Sequence, residues 1–470
     1  MVLTKKNYWI TSFIVLSAAV FYCYNPFPLY FQNDDFVHIP LSAQGKILQH
    51  NSFRPVCDIS IMVDYFLWGK KAWGYHFTNI VLHVISTALV FILSNQLLQK
   101  FFSTTKKRTI AVITALLFFA YPFHSEAVFW LLGRSAVIGT IFSLLFFIFY
   151  LKKTAKSIIL SYLFFALALL SYESCWVLPL FCWILFIAER KEVKTFIQPV
   201  VLSALFFVYL YLRYFFTNEV IGDYEGANFI HLNIPALGIN FIKLVTRSFF
   251  PPFASSLLMF CFSVILLVLI ALFFKQKKQE RIKVLLLFIF FLASLAPYAS
   301  IGIAVYGTEA ERFLYFPSVI LCFIVSYVVC TASFSIVVKN AFLIFVFLSY
   351  CITLFQNAVN YRFAGNVVKT FINEVNHLHD INILYIEQLP HSENGALILR
   401  QGAIESVKWL AKPDAVDSVI ICSEREELTG LKKTYKTSYK SLSNTNTNCG
   451  DLTKNDAVFY FTDSALIVYK

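Results

Sequence analysis

The sequence is poor in charge and has no clustered cysteines. Charged residues make up only 14% of the 470 residues, below the roughly 25% of an ordinary soluble domain. The ten cysteines stand singly, mostly inside apolar segments, with no Cys-x-x-Cys pair and no zinc-finger spacing. We therefore expect most of them to be small buried hydrophobic residues. Only Cys422 and Cys449, in the polar C-terminal part, are candidates for a disulfide.

Hydrophobic residues take the place of the missing charge. They make up 58% of the chain, aromatic residues make up 18%, and the mean hydropathy is +0.68, which is typical of a polytopic membrane protein. The net charge is +12, but the lysines and arginines occur in short clusters between apolar runs. This pattern follows the positive-inside rule and argues against a nucleic-acid partner.

Apolar runs predict about eleven transmembrane helices in an α-helical membrane domain that comprises residues 1–358. The first run, at about residues 8–24, lacks a small-residue cleavage site, so we expect a retained span rather than a signal peptide. The remaining predicted spans lie at about residues 77–98, 109–121, 134–151, 157–171, 174–188, 195–213, 254–274, 284–300, 313–332 and 340–357.

The basic clusters fall in alternate loops between these spans. They begin at Lys5, Lys100, Lys152, Arg190 and Lys275. The positive-inside rule places these loops in the cytoplasm. The first outer loop, residues 25–75, and the segment after the last span are then predicted to lie on the extracytoplasmic side.

Residues 359–470 differ in character, because the apolar runs shorten and charged, Asn, Ser and Thr residues return. We interpret this segment, the tail, as a small soluble α/β domain without a repeat of fixed period. Its predicted elements are strands at 383–389 and 416–422, a helix at 401–411, and a hairpin of strands 457–462 and 465–469.

Two adjacent carboxylates, Asp34 and Asp35, follow the first predicted span almost immediately. An aspartate inside the hydrocarbon costs roughly 2.5 to 3.5 kcal/mol on insertion scales. A pair kept at the membrane edge therefore indicates a function at that edge. Later in the same loop, Pro55 opens an apolar stretch of helical spacing at 56–68, which predicts a helix lying along the membrane surface.

Further polar side chains are predicted to line a cavity on the outer face. They are His38, His76, Asn79, His83, His124, Glu126 and Glu311, of which the second, third and fourth share one helical face. Six cations also lie on the predicted extracytoplasmic side, where the positive-inside rule expects few of them. They are Arg54, Arg134, Arg213, Lys243, Arg247 and Arg312. Guanidinium groups form forked hydrogen bonds with phosphate, so these cations indicate an anionic ligand.

These residues form an ordered series of motifs. The series is Asp34-Asp35, Phe53-Arg54-Pro55, Tyr75-His76-x-x-Asn79-x-x-x-His83, Pro122-x-His124-x-Glu126, Gly133-Arg134, Ser171-x-Glu173 and Glu311-Arg312-x-Leu314-Tyr315-x-Pro317-Ser318. The order resembles the GT-C superfamily of membrane glycosyltransferases. In particular, it resembles the branch that contains the transmembrane and tetratricopeptide-repeat O-mannosyltransferases and their bacterial relatives. This chain has its small α/β domain where the eukaryotic relatives carry the repeats.

The resemblance implies an inverting transfer of a sugar from a polyprenyl-phosphate carrier to an acceptor hydroxyl, on a protein or on a cell-envelope glycan or lipid. Asp34 would be the general base, and Asp35 would help to orient it or would bind the acceptor. Arginines would hold the phosphate leaving group, the candidates being Arg54, Arg134, Arg213 and Arg312. A partly desolvated carboxylate beside a second one is expected to have a raised pKa, which makes it a better base. The resemblance also implies a multi-pass protein of the bacterial inner membrane, with its active site and tail outside the cytoplasm.

Structural alternatives accompany these roles. Asp34 and Asp35 could serve only to cap the following helix, and the histidines could be hydrogen-bonded residues at helix interfaces. Arg134 and Arg312 could pair with carboxylates, the candidates being Glu126 and Glu311, solely to neutralise buried charge.

Two other functions are compatible with a cationic outer face. A transporter or flippase of a lipid-linked sugar would be expected to have polar or broken segments at mid-membrane, which the sequence does not clearly contain. A scaffold that presents the tail would not require the aspartate pair. A divalent cation at His124 and Glu126 is left open, as is the oligomeric state.

Overall fold

The computed structural model describes residues 23–48, 53–188, 196–218, 233–252, 256–428, 435–441, 449, 452–453 and 455–470. The predicted first span, at about residues 8–24, lies almost wholly outside the described residues. The structure is a multi-pass helical membrane protein with a smaller strand-containing part at its C-terminal end, which confirms the predicted fold class.

In chain order, the helices of the described residues are α1 (Asp35–Ala43), α2 (Pro55–Trp68), α3 (Ala72–Phe101), α4 (Lys107–Phe119), α5 (Ser125–Phe129), α6 (Arg134–Tyr150), α7 (Ala155–Leu169), α8 (Leu178–Ala188), α9 (Ile197–Thr217), α10 (Ile234–Phe249), α11 (Ser256–Phe274), α12 (Lys278–Leu295), α13 (Tyr315–Thr331), α14 (Ile336–Val375) and α15 (Ala403–Leu410). Short 3-10 turns lie at Pro122–His124, Glu173–Val177, Ala296–Tyr298 and Glu311–Leu314.

Six helices of the described residues are long and apolar enough to cross a membrane, namely α3, α9, α11, α14, and α12 and α13 when each is taken with its adjoining 3-10 turn, as Lys278–Tyr298 and Glu311–Thr331. The count rises to seven if α4 and the bent segment after it, Pro122–Phe129, form one span with a bend of 54°. Shorter apolar helices lie at Arg134–Tyr150, Ala155–Leu169 and Glu173–Ile187. Each span predicted after the first coincides with one of these helices.

Helix α13 is the centre of the membrane part. In the most apolar stretch of the span Glu311–Thr331, 89% of the residues are buried, compared with 17% in α9, which faces outward. Its polar residues find partners on neighbouring helices: the hydroxyl of Tyr315 lies 2.7 Å from Nδ1 of His83, and the hydroxyl of Ser318 lies 2.7 Å from Nε2 of His124. Buried polar groups of this kind are stable only when they are hydrogen-bonded, so they fix the packing of α13 against α3 and the 3-10 turn at Pro122–His124.

Helix α14 joins the membrane part to the tail without a break. It has 40 residues, which corresponds to about 60 Å at the usual helical rise. The predicted domain boundary between residues 358 and 359 falls inside it, because the helix continues for more than four turns after the apolar run ends. Its last turns pack on the tail, where the ring of Phe371 lies 5.9 Å from that of Phe459.

The tail contains two small sheets. Its strands are β1 (Ile381–Glu387), β2 (Leu389–Glu393), β3 (Ala396–Leu397), β4 (Val416–Ile421), β5 (Glu424–Glu427), β6 (Lys436–Lys440), β7 (Ala457–Phe461) and β8 (Ala465–Tyr469). One sheet has the order β4-β1-β7-β8-β6 and the other has the order β3-β2-β5. The antiparallel β7–β8 hairpin, β1, β4 and helix α15 match the predicted elements, and Cys422 and Cys449 form the expected disulfide.

Candidate active site

The Asp34–Asp35 pair lies in a tight turn that opens helix α1. Asp35 is the first residue of the helix and is completely buried, and its Oδ2 accepts a hydrogen bond from the backbone N–H of Gln32 at 2.9 Å. Asp34 is partly exposed, and its Oδ1 accepts a hydrogen bond from Nδ2 of Asn33 at 2.9 Å. Asp35 is therefore buried and anchors the turn, whereas Asp34 is partly exposed.

Burial raises the pKa of Asp35 well above its ordinary value, because a charged carboxylate loses its hydration inside the protein. The backbone N–H of Gln32 opposes this change, the neighbouring Asp34 adds to it, and the positive charge of Arg134 opposes it. No cation of the described residues lies within salt-bridge distance of Asp35. Asp35 is thus a member of the pair with a raised pKa.

Arg134, at the start of α6, is fully buried and pairs with Asp64 of helix α2 at 2.6 Å. Its Nη2 donates to the backbone carbonyl of Tyr75 at 3.1 Å, and Asp64 also accepts from the hydroxyl of Thr78 at 2.8 Å. The predicted surface helix is therefore joined to the membrane part by a buried ion pair. Glu126, the carboxylate expected as an alternative partner, contacts a different arginine.

Arg54 and Arg213 share one carboxylate. Glu173, in a 3-10 turn, lies 2.8 Å from Nη2 of Arg54 and 3.0 Å from Nη1 of Arg213. The guanidinium of Arg54 stacks over the ring of Tyr172 at 4.7 Å, and that of Arg213 lies over the ring of Trp176 at 5.5 Å. Two guanidinium groups therefore meet at one carboxylate. Arg213 has no exposed surface, and its Nε and Nη2 have no hydrogen-bond partner among the described residues.

Together with the predicted Arg247, Arg312 belongs to a separate group. Its side chain pairs with Glu126, which also accepts a hydrogen bond from the backbone N–H of Arg312 at 2.9 Å. Next to it, Glu311 pairs with Arg247 of helix α10, and both side chains are buried. Arg247 also donates to the backbone carbonyl of Ala304 at 3.1 Å. In this group each arginine has a carboxylate of its own.

The predicted cavity histidines lie inside the protein. His76 donates from Nε2 to the backbone carbonyl of Tyr30 at 3.2 Å, and Asn79 donates to the carbonyl of Trp130 at 3.2 Å. His124 donates to the hydroxyl oxygen of Ser318, and this hydroxyl donates to the backbone carbonyl of Tyr315. These side chains are buried at helix interfaces, as in the structural alternative, whereas His38 is only half-buried and lies one turn along α1 from Asp34.

No group of three or more His, Cys, Asp and Glu side chains lies together in a metal-binding arrangement within the part of the chain that the structure describes. Of the two residues considered for a cation, Glu126 is held by Arg312 and His124 contacts Ser318. Among the described residues, these two side chains do not converge on a common point with further ligands.

The structure joins the predicted residues into two groups and adds members that the sequence did not single out. Asp34, Asp35 and Arg134 lie near helix α2, whose first residue follows Arg54, and the shared Glu173 extends this group to Arg213. Asp64 and Asn33 were missed. A signal for Asp64 exists, because Cys57, Asp58, Ile61 and Asp64 are spaced by one to three residues on the buried face of α2.

No protein-family model matches the chain. Curated relatives match parts of it: a protein O-mannosyl-transferase of Caenorhabditis elegans is 26% identical over 204 residues, Tmtc1 of Drosophila melanogaster is 32% identical over 153 residues, and Tmtc2 of the same fly is 36% identical over 122 residues. These matches cover 43, 32 and 26% of this chain and 28, 17 and 12% of the relatives. The chain therefore spans less than a third of each of these proteins.

Two solved structures of ArnT from Cupriavidus metallidurans match almost the whole chain. The apo structure has a TM-score of 0.53 at 11% identity, and the complex with undecaprenyl phosphate has a TM-score of 0.52 at 10% identity. Each match covers 88% of this chain, and 87 and 90% of the respective ArnT chains. The chain has an ArnT-like GT-C fold. The comparisons thus support the relation to the GT-C superfamily that the ordered motifs indicate, and the named relatives fall in the O-mannosyltransferase branch.

Proposed function

We propose that the protein is an inverting glycosyltransferase that moves a sugar from a polyprenyl-phosphate donor to an acceptor hydroxyl at the extracytoplasmic membrane face. The observation that carries the proposal is the turn at the start of α1, in which a fully buried Asp35 anchors a partly exposed Asp34. A catalytic base must reach its substrate and be held in one orientation, and this turn meets both needs. The ArnT-like fold and the O-mannosyltransferase relatives support a role of this turn in glycosyl transfer.

In the proposed reaction Asp34 takes the proton of the acceptor hydroxyl while the hydroxyl oxygen attacks the anomeric carbon. The bond between that carbon and the phosphate oxygen breaks, and its electron pair leaves with the polyprenyl phosphate. Attack and departure occur on opposite faces of the sugar, so the configuration is inverted. Asp35 acts through the turn, as a positioning residue that does not itself reach the substrate.

Arg54 and Arg213 are proposed to bind the departing phosphate. Both arginines contact Glu173, and the buried Nε and Nη2 of Arg213 have no hydrogen-bond partner among the described residues, so an anion could accept from them. Fixed cations at the leaving group stabilise the charge that develops there. Arg134 and Arg312 each have a carboxylate partner. We therefore propose that they affect phosphate binding only indirectly, by holding helix α2 and the outer loop before α13 in place.

The donor and acceptor are proposed from the comparisons. The ArnT neighbour was solved with undecaprenyl phosphate, which favours a polyprenyl carrier for this chain as well. The relatives are named protein O-mannosyl-transferases, which favours a mannose-like sugar and a hydroxyl acceptor, on a protein or on a cell-envelope glycan or lipid.

The outer orientation is supported by the basic clusters of alternate loops and by the Cys422–Cys449 disulfide of the tail. Disulfides persist in oxidising compartments and are rare in the cytosol. In intact cells, a membrane-impermeant maleimide should label a cysteine introduced at the exposed Lys408 of the tail, and a cysteine at Lys278 only after permeabilisation. The reverse pattern would refute the orientation, and the wild-type protein serves as the blank.

The catalytic proposal is tested with Asp34→Asn. We expect the variant to lose sugar transfer from undecaprenyl-phosphoryl mannose to an envelope extract while it keeps its fold and its affinity for undecaprenyl phosphate. Glu309→Gln is the matched control, since Glu309 is another carboxylate of the proposed outer face and, among the described residues, pairs with the exposed Arg400. Unchanged transfer by the folded Asp34→Asn variant would remove the enzyme hypothesis and favour a flippase or a scaffold.

A further inference from the structure

Asn33 connects the tail to the proposed base. It is fully buried, and its backbone N–H donates to the carbonyl of Ile398 in the tail at 2.8 Å. Its side-chain Oδ1 accepts from the backbone N–H of Gln401 at 2.7 Å, and its Nδ2 donates to Oδ1 of Asp34 at 2.9 Å. A single amide side chain is therefore hydrogen-bonded to the tail at one end and to Asp34 at the other.

The tail contact determines which way this amide points. The partner on the tail side is a backbone N–H of Gln401, which can only donate, so it must face the oxygen of the Asn33 amide. The NH₂ group is thereby directed to Asp34, where an ionised carboxylate can only accept. If the tail contact were absent, nothing in this pair of bonds would prevent the amide from turning over.

The backbone conformations of Asn33 and Gly402 allow the turn and the tail to approach each other closely. Asn33 has a φ of 49°, in the left-handed region that asparagine tolerates better than most residues. Opposite it, Gly402 has a φ of 79°, and a Cβ atom at Gly402 would lie 2.7 Å from the carbonyl oxygen of Asn33. Only a glycine allows the tail to approach the turn this closely.

Other contacts hold the tail against the same loop. The ring of Trp409 in α15 lies 5.1 Å from that of Phe31 and 6.3 Å from that of Phe36, the two aromatic residues that flank the turn. The ammonium group of Lys70 donates to the backbone carbonyl of Trp409 at 2.6 Å. The tail is thus packed against the turn through an aromatic cluster as well as through hydrogen bonds.

We propose that the tail positions the catalytic base, with Asn33 as the positioning residue that transmits its contact to the carboxylate of Asp34. This inference rests on the proposed role of Asp34. A hydrogen bond to one carboxylate oxygen fixes the rotation of the carboxylate, and small errors in the placement of a catalytic group slow a reaction by up to about 100-fold. Under this proposal the tail contributes to the rate of transfer itself.

The test compares variants of Asn33 with a matched asparagine elsewhere. Asn33→Gly keeps the left-handed backbone and removes both side-chain bonds, whereas Asn33→Asp keeps the acceptor for Gln401 and removes the donor to Asp34. Asn394→Gly is the control, because Asn394 also has a φ of 49° and also joins the tail to an outer loop, through its carbonyl and the N–H of Thr308 at 3.0 Å.

We expect both Asn33 variants to lower kcat for sugar transfer by about 10- to 100-fold. Their Kd for undecaprenyl phosphate should stay within about twofold of the wild-type value, because the proposed phosphate ligands are elsewhere. Asn394→Gly should transfer at the wild-type rate. Gln401→Ala should do the same, since only the backbone of Gln401 contacts Asn33.

A second variant acts from the tail side, in case the Asn33 variants do not fold. Trp409→Ala loosens the tail against Phe31 and Phe36 without changing the turn, and it should lower kcat with an unchanged Kd for undecaprenyl phosphate. Wild-type kcat in folded Asn33→Gly, or in folded Trp409→Ala where the first variant fails to fold, would overturn the inference. If Asp34→Asn also transfers sugar normally, the proposed base is wrong; if it is inactive, only the role of the tail is lost.

Discussion

Two groups of buried or half-buried arginines differ in how they contact carboxylates. In the paired group, Arg247 has Glu311 and Arg312 has Glu126. In the shared group, Arg54 and Arg213 both contact Glu173. The two groups were indistinguishable in the sequence, where all of these arginines are cations kept against the positive-inside trend.

The difference separates structural charge from charge available to a ligand. A buried ion pair with additional hydrogen bonds is electrically neutral and mainly fixes the elements that carry it. In the shared group, by contrast, Nε and Nη2 of the buried Arg213 have no hydrogen-bond partner among the described residues, and an anion could accept from both. The paired group therefore holds the loop before α13 in place, and the shared group is the better candidate for the lipid phosphate.

The largest expected effect comes from breaking a pair in the paired group. Glu311→Gln leaves Arg247 buried without a counter-charge, which should reduce the free energy of unfolding by about 3 to 5 kcal/mol. Thermal unfolding in detergent measures the loss. Arg400→Gln is the control, because its pair with Glu309 is exposed and should contribute no more than about 1 kcal/mol.

A double replacement sharpens this test. Arg247→Met combined with Glu311→Leu removes both charges, and such apolar replacements of buried pairs are often neutral. The double variant should therefore regain most of the stability that Glu311→Gln loses. Equal losses in the single and double variants would mean that the charge pairing of this group is not what stabilises the loop.

The next effect concerns binding. Arg213→Gln should weaken the affinity for undecaprenyl phosphate at least tenfold, about 1.4 kcal/mol, while Glu173 keeps Arg54 as its partner and stability changes little. Quenching of tryptophan fluorescence offers a direct measurement, since Trp176 lies beneath Arg213. Arg312→Gln should behave in the opposite way, with lower stability and wild-type affinity once folded. If Arg213→Gln and Arg312→Gln changed affinity and stability in the same way, the distinction between the two groups would be wrong.

A smaller effect is expected from removing the shared carboxylate. Glu173→Gln removes the carboxylate that both arginines contact, so the ligand-free protein should be less stable, by about 1 kcal/mol. A bound phosphate would replace the missing charge, and a ligand that binds the folded state raises the melting temperature. The shift produced by undecaprenyl phosphate should thus be larger in Glu173→Gln than in the wild type, and a smaller shift would contradict a phosphate site here.

Most of the fold could be predicted, because it depends on local patterns. Apolar runs locate the spans after the first, and the run of strands, helix and hairpin in the tail follows from alternation and turn residues. The polar strands β5 and β6 were not predicted, since edge strands rich in charge carry no apolar alternation. Helix α10 was treated as loop, because Lys243 and Arg247 interrupt its apolar residues.

The partners within the candidate site could not be predicted. Arg54 and Glu173 are 119 residues apart, and Arg312 and Glu126 are 186 residues apart. Such pairings depend on how helices pack, which a single sequence does not reveal. The same holds for Asn33, whose importance comes from a contact with Gln401, 368 residues away. Residue types indicated a phosphate site on the outer face, and only the packing distinguishes the shared from the paired arginines.

The smallest effect concerns Asp35, a buried carboxyl with no salt-bridge partner among the described residues. Its pKa is raised in the folded protein by burial, whereas an unfolded chain has the ordinary value of about 3.9. Above that value the folded state binds more protons than the unfolded state, so the contribution of this carboxyl to stability falls as the pH rises. Asp35→Asn removes this cost, and its oxygen can still accept from the N–H of Gln32. The melting temperature of the variant relative to the wild type should therefore increase from pH 5 to pH 8, whereas Asp417→Asn, at an exposed position of β4, should show no such trend. If the difference in melting temperature between Asp35→Asn and the wild type stays constant with pH, ionisation of Asp35 costs little stability. Asp35 would then be a charged residue of the site rather than a neutral anchor of the turn.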